Sequence, residues 1–302
     1  MRITRRQGLA MAGVGAAGSL ARTPRLFAAP AAAGPAKNAL PRWRGFNLIN
    51  FFQALSRGEP GDCTLKEDDL RWMKDWGFDF VRLPVDYWLW IDTDWKKTKK
   101  LQPDDVYKIK DATLEKVDAA IELCRKHALH VNFNFHRAPG YCINNPDREP
   151  FVLWSDRRAE DAFVYHWDLF AKRYRGTPRD VLSFNLVNEA PRPREGYMSR
   201  EDYRRVMTRA TETIRKHSPD RLILIDGLSV GKEVVTGMIP TGVGQSVHAY
   251  WPGGISHYRA PWVDRKSSFP TPTWPVRRKD GSIRRVVGVG GARGRESRGR
   301  RR

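Results

Sequence analysis

Glu189 is the residue whose neighbours best equip it for chemistry. It follows Val181-Leu182-Ser183-Phe184-Asn185-Leu186-Val187-Asn188, and Ala190-Pro191 comes directly after it. An apolar run of this length after Asp180 reads as a buried parallel strand, and proline stops the pattern, so Glu189 stands where the strand opens into a loop. Barrel enzymes keep catalytic carboxylates at such strand ends. A carboxylate there is costly to bury unless hydrogen-bonded, and Asn188 beside it can donate to a substrate hydroxyl. The competing reading is a carboxylate that merely caps the next turn, because Asn-Glu after a strand is a short motif.

The elements that must position Glu189 are legible elsewhere. Phe78 to Pro84, Leu129 to Gly140 and Gln245 to Tyr250 are apolar runs that end in polar, ring-bearing or charged residues. Amphipathic helices are predicted between the strands. Leu65 to Trp76 places Leu65, Leu70, Met73 and Trp76 on one face; Ala112 to His127 does so with Leu114, Val117, Ala120, Ile121 and Cys124. Ala159 to Tyr174 and Tyr203 to His217 follow the same period. Strand alternating with helix predicts an α/β fold with a parallel sheet.

With these residues in order, the chain resembles the cellulase family, glycoside hydrolase family 5. The matching motifs run from Arg44-Gly45-Phe46-Asn47-Leu48 through Arg82, His136, Asn188-Glu189 and His248/Tyr250, over roughly residues 43 to 275. The resemblance implies a (β/α)8 TIM barrel, here incomplete with about six strand–helix units, that hydrolyses β-glycosidic bonds with retention. It implies that Glu189 is the general acid/base and that Arg82 holds the nucleophile's geometry. His136 and Asn188 would line the subsite at the point of cleavage, and His248 with Tyr250 would contact sugar and nucleophile. Retaining cleavage passes through an oxocarbenium-like transition state, so it needs one carboxyl to protonate the departing oxygen and a second, about 5 Å away, to attack the anomeric carbon.

That second carboxylate is the missing part of the pattern. The family's nucleophile is a glutamate at the end of the seventh strand. Here the sixth ends at Tyr250 and the only later strand-like run is Val286 to Gly290, with Gly291 where the glutamate would stand. Glu296 lies in an arginine-rich context with no strand to position it. Residues 284–302 hold eight arginines and one acid. This tail reads as an Arg-Gly segment for nucleic acid, as a disordered solvated tail, or as a shifted reading frame that replaces the last two strand–helix units. The abrupt change near Ile283 favours the third. On that reading the chain as written would be a poor hydrolase.

Residues 1–39 read as a leader. Arg5 and Arg6 open a basic segment, a mild Gly/Ala run extends to Leu20, and Ala28 to Ala33 supplies small residues for cleavage. This resembles a twin-arginine export signal and predicts a periplasmic or extracellular protein handled by the twin-arginine machinery. The run is too short and glycine-rich to span a bilayer, so no stable membrane insertion is expected. The predicted organisation is leader 1–39, barrel 40–283 and tail 284–302.

Composition agrees. The formal net charge is +20, but residues 1–42 carry seven Lys/Arg and no acid. With both ends set aside the body is only mildly basic, which gives little reason to expect a nucleic-acid partner. No metal-ligand spacing or nucleotide-binding glycine motif occurs, so no cofactor is expected. Of the three cysteines, Cys63 and Cys142 fall in predicted loops and could pair, whereas Cys124 sits on a helix's apolar side. The chain has eleven tryptophans. Trp72, Trp76 and Trp167 lie on predicted helices and are expected to pack. Trp88, Trp90 and Trp95, and Trp251, Trp262 and Trp274, lie in loops where an aromatic face could stack on a pyranose. Asp86, Tyr87, Arg137 and Tyr141 are further subsite candidates, and His127, His166 and His217 read as surface or packing residues. The reading is an exported retaining glycosidase for a β-linked glucan, with Glu189 catalytic and Arg82, His136, Asn188, His248, Tyr250 and Trp251 binding substrate. Its rivals are a carbohydrate-binding pseudoenzyme without a nucleophile and a basic nucleic-acid-binding protein.

Overall fold

The alternation that starts at His130 sets the architecture. In a computed structural model of the chain, His130–Ala138 forms a strand with Val131, Phe133 and Phe135 fully buried on one face. His130, Asn132, Asn134 and His136 take the opposite face, as the two-residue period of a strand requires. The structure describes residues 40–52, 63–94, 97, 100–144, 146–260, 263, 269–275, 277 and 281–282. The chain divides into units 1–41 and 42–302, and the sheet, its helices and the site belong to the second. The leader signal, Trp95, Trp262, the run from Val286 to Gly290, and Glu296 lie outside the described residues.

Seven strands form one sheet: β1 Gly45–Asn47, β2 Phe80–Asp86, β3 His130–Ala138, β4 Tyr141–Cys142, β5 Leu182–Asn185, β6 Ile223–Asp226 and β7 Gly244–Ser246. Six are parallel, in the order β1-β2-β3-β5-β6-β7, and β4 turns back antiparallel on β3. Four helices cross between them: α1 Glu67–Asp75, α2 Asp111–Lys126, α3 Arg157–Arg173 and α4 Arg200–His217. The β6–β7 connection has only short helical turns. This is the sheet of an incomplete (β/α)8 barrel, open between β1 and β7 among the described residues. The sixth parallel strand, β7, stops at Ser246, so His248 and Tyr250 lie in the loop beyond it.

Helices α3 and α4 begin earlier than their apolar periodicity suggests, because their caps lie upstream, whereas α1 begins later, at Glu67. Asp156 accepts the Arg158 N–H at the start of α3, and Ser199 with Asp202 forms a reciprocal capping box at the start of α4. Helix and sheet meet in an aromatic cluster. Phe135 stacks on Trp167 with centroids 4.1 Å apart, and Phe133 packs on Phe170 at 4.7 Å. Aromatic pairs of this kind add about 0.5–1.5 kcal/mol beyond their buried area.

Several expectations are corrected. Trp88 and Trp90 are buried, so they are not sugar platforms: the Arg137 guanidinium lies 3.9 Å over Trp88, and Trp90 Nε1 donates to His166 Nδ1 at 3.0 Å. Trp72 and Trp76, expected to pack, are 58% and 67% exposed, because α1 buries only Leu70 and Met73. Trp167 is buried as expected. No disulfide joins Cys63 to Cys142; both thiols are buried, as is that of Cys124.

Candidate active site

The sheet face opposite the aromatic core carries a polar layer. Asn132 Nδ2 donates to Ser183 Oγ at 2.9 Å, and Asn134 Nδ2 donates to Asn185 Oδ1 at 2.7 Å, each bond joining β3 to β5. Arg82 rises from β2 into the same layer. It donates to Asn47 Oδ1 at 3.3 Å, Asn185 Oδ1 at 3.1 Å and Asn188 Oδ1 at 2.9 Å. A guanidinium can hold three separated acceptors because its donors fork in a plane.

Glu189 sits just beyond β5, and its backbone is held on both sides. Its N–H donates to Asp226 Oδ2 at 2.8 Å and its carbonyl accepts from Tyr141 Oη at 2.6 Å. Its φ is 50°, in the left-handed region that residues with a Cβ seldom visit. Asn188, one residue earlier, donates its N–H to Phe135 O at 2.9 Å. The loop after Glu189 is tied to the turn after β6: Val230 N–H donates to Ala190 O at 2.8 Å, with Ser229 and Val230 also at positive φ. Residues kept in this region by surrounding contacts cluster at functional sites.

His248 closes the group. Its Nδ1 is 2.8 Å from Glu189 Oε1 and its Nε2 is 2.9 Å from Asp226 Oδ2. The ring lies against Gly231, where a Cβ would come within 2.7 Å of it, so that position needs glycine for space as well as for its φ of +76°. Burial opposes the charge on His248, but the bonds to Asp226 and Glu189 outweigh it and push its pKa up to about 9. Burial likewise opposes the charge on Asp226, and the His248 bond and Arg82 overcome it to hold the carboxyl below its usual range. His136 is half-buried and pushed well below its ordinary value by desolvation, then by Arg82 and Arg137. Its ring lies 3.9 Å from that of Phe52. Tyr250 stands edge-on to His248 at 5.6 Å, and burial followed by the nearby Glu189 charge raises its phenol. Tyr250 and Trp251 are 41% and 57% exposed.

The structure therefore gathers Arg82, His136, Asn188, Glu189, His248 and Tyr250 at the C-terminal end of the sheet, with Trp251 next along the chain. Asp86, Tyr87 and Arg137 do not line this face. They are buried beside it with Glu149, which accepts from Arg137 Nη1 at 2.8 Å, Tyr87 Oη at 2.6 Å and the Gly140 N–H at 3.1 Å. That cluster braces the β3–α3 loop. Tyr141 is buried too and reaches the site through the Glu189 carbonyl. His166 is a packing residue, and His127 and His217 pair with Glu67 and Asp168 away from the site.

Asp226 is the residue that sequence reasoning missed. The signal was present in Arg221-Leu222-Ile223-Leu224-Ile225-Asp226, an apolar run ending in an acid much as the run before Glu189 does. Among the described residues, no three His, Cys, Asp or Glu side chains form a metal-binding group.

Residues 40–279 match the family model for cellulase, glycosyl hydrolase family 5. Endoglucanase C of Acetivibrio thermocellus is 27% identical over 232 residues, covering 74% of this chain and 62% of that protein. Cellodextrinase A of Ruminococcus flavefaciens is 26% identical over 225 residues, covering 73% and 62%. The chain thus spans less than two thirds of the length of these relatives. Among solved structures, a glycoside hydrolase at 36% identity superposes with a TM-score of 0.70 over 80% of this chain and 69% of that one. Endoglucanase Cel5A of Thermotoga maritima, at 22% identity with a TM-score of 0.55 over 76% and 68%, shares the fold.

Proposed function

The chain belongs to the cellulase family, glycosyl hydrolase family 5, and on that footing we propose that its site cleaves O-glycosidic bonds of a β-linked glucan with retention. The observation that carries this reading is the Glu189 carboxyl held 2.8 Å from His248 Nδ1, with Asn188 and Arg82 beside it at the open end of a barrel sheet. Glu189 is then the acid that protonates the departing oxygen and the base that later activates water. Asn188 and His136 bind sugar hydroxyls, His248 steers the Glu189 carboxyl, and Arg82 holds Asn188 in place. Tyr250 and Trp251 offer exposed rings to the apolar face of a pyranose.

Retention also needs an attacking carboxylate about 5 Å from the acid. Among the described residues the other acid in the group is Asp226. It is fully buried and its oxygens already accept from Glu189 N–H, His248 and Asn185 Nδ2. It is not given the attacking role. That observation supports a second reading, a site that binds β-glucan without cleaving it. Reducing-end release from a soluble β-1,4-glucan and calorimetric binding of a cello-oligosaccharide, both on the purified chain, separate the two. Release that is lost in Glu189→Gln supports the hydrolase, and binding without release supports the second reading. Absence of both would sink each of them.

Residues 1–33 support the further proposal that the protein leaves the cytoplasm by the twin-arginine route, read from Arg5-Arg6, the Gly/Ala run and Ala28 to Ala33.

A further inference from the structure

Asp226 meets four residues of the site at once. Its Oδ2 accepts the Glu189 N–H and faces His248 Nε2, its Oδ1 accepts Asn185 Nδ2 at 3.0 Å, and Arg82 Nη2 lies 3.7 Å away. Its own carbonyl accepts from Tyr203 Oη at 2.6 Å, which fixes the end of β6 that bears the carboxylate. Solvent does not reach it, so it is not placed to touch substrate.

The arrangement at His248 has a chemical consequence. A neutral imidazole carries one N–H and one lone pair. The carboxylate of Asp226 at Nε2 selects the form with the proton on Nε2. The second proton of the pair then lies between His248 Nδ1 and Glu189 Oε1, either on the ring with Glu189 ionised or on Glu189 with the ring neutral. In the second state Glu189 carries the proton that the departing oxygen requires.

We propose that Asp226 is a positioning residue for Glu189, clamping its peptide in the left-handed conformation and fixing His248 so that Nδ1 faces the carboxyl with the exchangeable proton. The proposal rests on the reading of Glu189 as acid/base. The groups that face His248 are Glu189 from the loop after β5, Asp226 from β6, His136 from β3 and Tyr250 from its own loop, and Arg82 from β2 lies beside Asp226. Removing the negative charge at 226 weakens the acceptor that favours a proton on Nε2.

The test is a histidine-ring 1H–15N spectrum of the full chain without substrate, recorded from pH 5 to pH 10. In the wild-type protein the Nε2 signal of His248 is expected to stay protonated throughout, with the ring titrating near pH 9. In Asp226→Asn the titration should move down by one unit or more, and exchange of the Glu189 amide should speed up at least tenfold. Tyr141→Phe removes the contact on the Glu189 carbonyl and should leave the ring titration where it was. A wild-type spectrum with Nε2 unprotonated at pH 7 overturns the proposal, and it does so whether or not Asp226→Asn folds. A folded Asp226→Asn with an unchanged His248 titration and unchanged Glu189 exchange overturns it as well. Because no turnover is measured, this failure is distinct from loss of the Glu189 reading, which hydrolysis by Glu189→Gln would show.

Discussion

Arg82 Nη2 donates to Asn188 Oδ1 at 2.9 Å, binding the middle of β2 to the residue that precedes Glu189. The two residues are 106 apart in the chain. The same guanidinium also reaches Asn47 and Asn185. A lysine ammonium has no planar fork and cannot hold all three acceptors in this geometry. Arg82→Lys is therefore expected to lower stability by about 1–3 kcal/mol, the cost of leaving the buried Asn188 amide oxygen unpaired. Urea unfolding measures it, and a midpoint equal to wild type would show that water or neighbouring groups replace the fork.

Glu189→Gln keeps the shape of the acid and removes its proton. Positioned acid–base groups contribute about 10²- to 10⁴-fold to rate. Hydrolysis of an unactivated glucan should fall by that order in any form of the protein that turns over. Formation of the glycosyl intermediate from an aryl glycoside with a good leaving group should survive, since that oxygen departs without a proton. Equal losses on both substrates would remove Glu189 from the acid role.

Arg137 and Glu149 form a buried ion pair at 2.8 Å, with Arg137 also stacked over Trp88. Breaking such a pair from one side leaves an uncompensated charge, at a cost of about 3–5 kcal/mol. Arg137→Ala should lose that much in urea titration, and Glu149→Gln, which keeps an acceptor for Tyr87 and Gly140, should lose less. The opposite ranking would mean that the uncompensated Arg137 charge, and not packing on Trp88, decides the effect.

His248 makes stability depend on pH in a defined direction. Its folded pKa, about 9, lies above the value of about 6.5 that an unfolded chain shows. The contribution is complete below about pH 6.5 and is lost as pH rises through about 9. Asp226 works in the opposite sense: its carboxyl is held low, so its contribution is present above the unfolded value near 3.9 and lost as pH falls below it. Between pH 6.5 and 9 the wild-type chain should lose stability that His248→Ala does not lose. Parallel curves for the two proteins would contradict this.

Arg5→Lys together with Arg6→Lys conserves the leader's charge but changes what a receptor reads. Export of the precursor should stop, with the protein accumulating in the cytoplasmic fraction. Undiminished export of the double variant would make the arginine pair incidental.

What the sequence by itself determined is local. The apolar run from Leu129 to Gly140 predicted β3, and the run from Val181 to Asn188 predicted a strand opening at Glu189, because the apolar pattern and proline's missing donor act within a few residues. The apolar stripes of α2, α3 and α4 were legible for the same reason. Tertiary structure decided which ends meet. The Asp226 clamp joins residues 37 apart and the His248 contact joins residues 59 apart, so both depend on sheet register and on how the helices return the chain. Nothing near Asp226 in sequence marks it as different from any acid ending a strand. The tryptophans follow the same rule. Trp76 continues the apolar stripe of α1 and Trp88 follows a polar strand end, yet Trp76 is exposed and Trp88 is buried. Periodicity sets the face a side chain takes on its own element, whereas burial depends on whether another element arrives to cover that face.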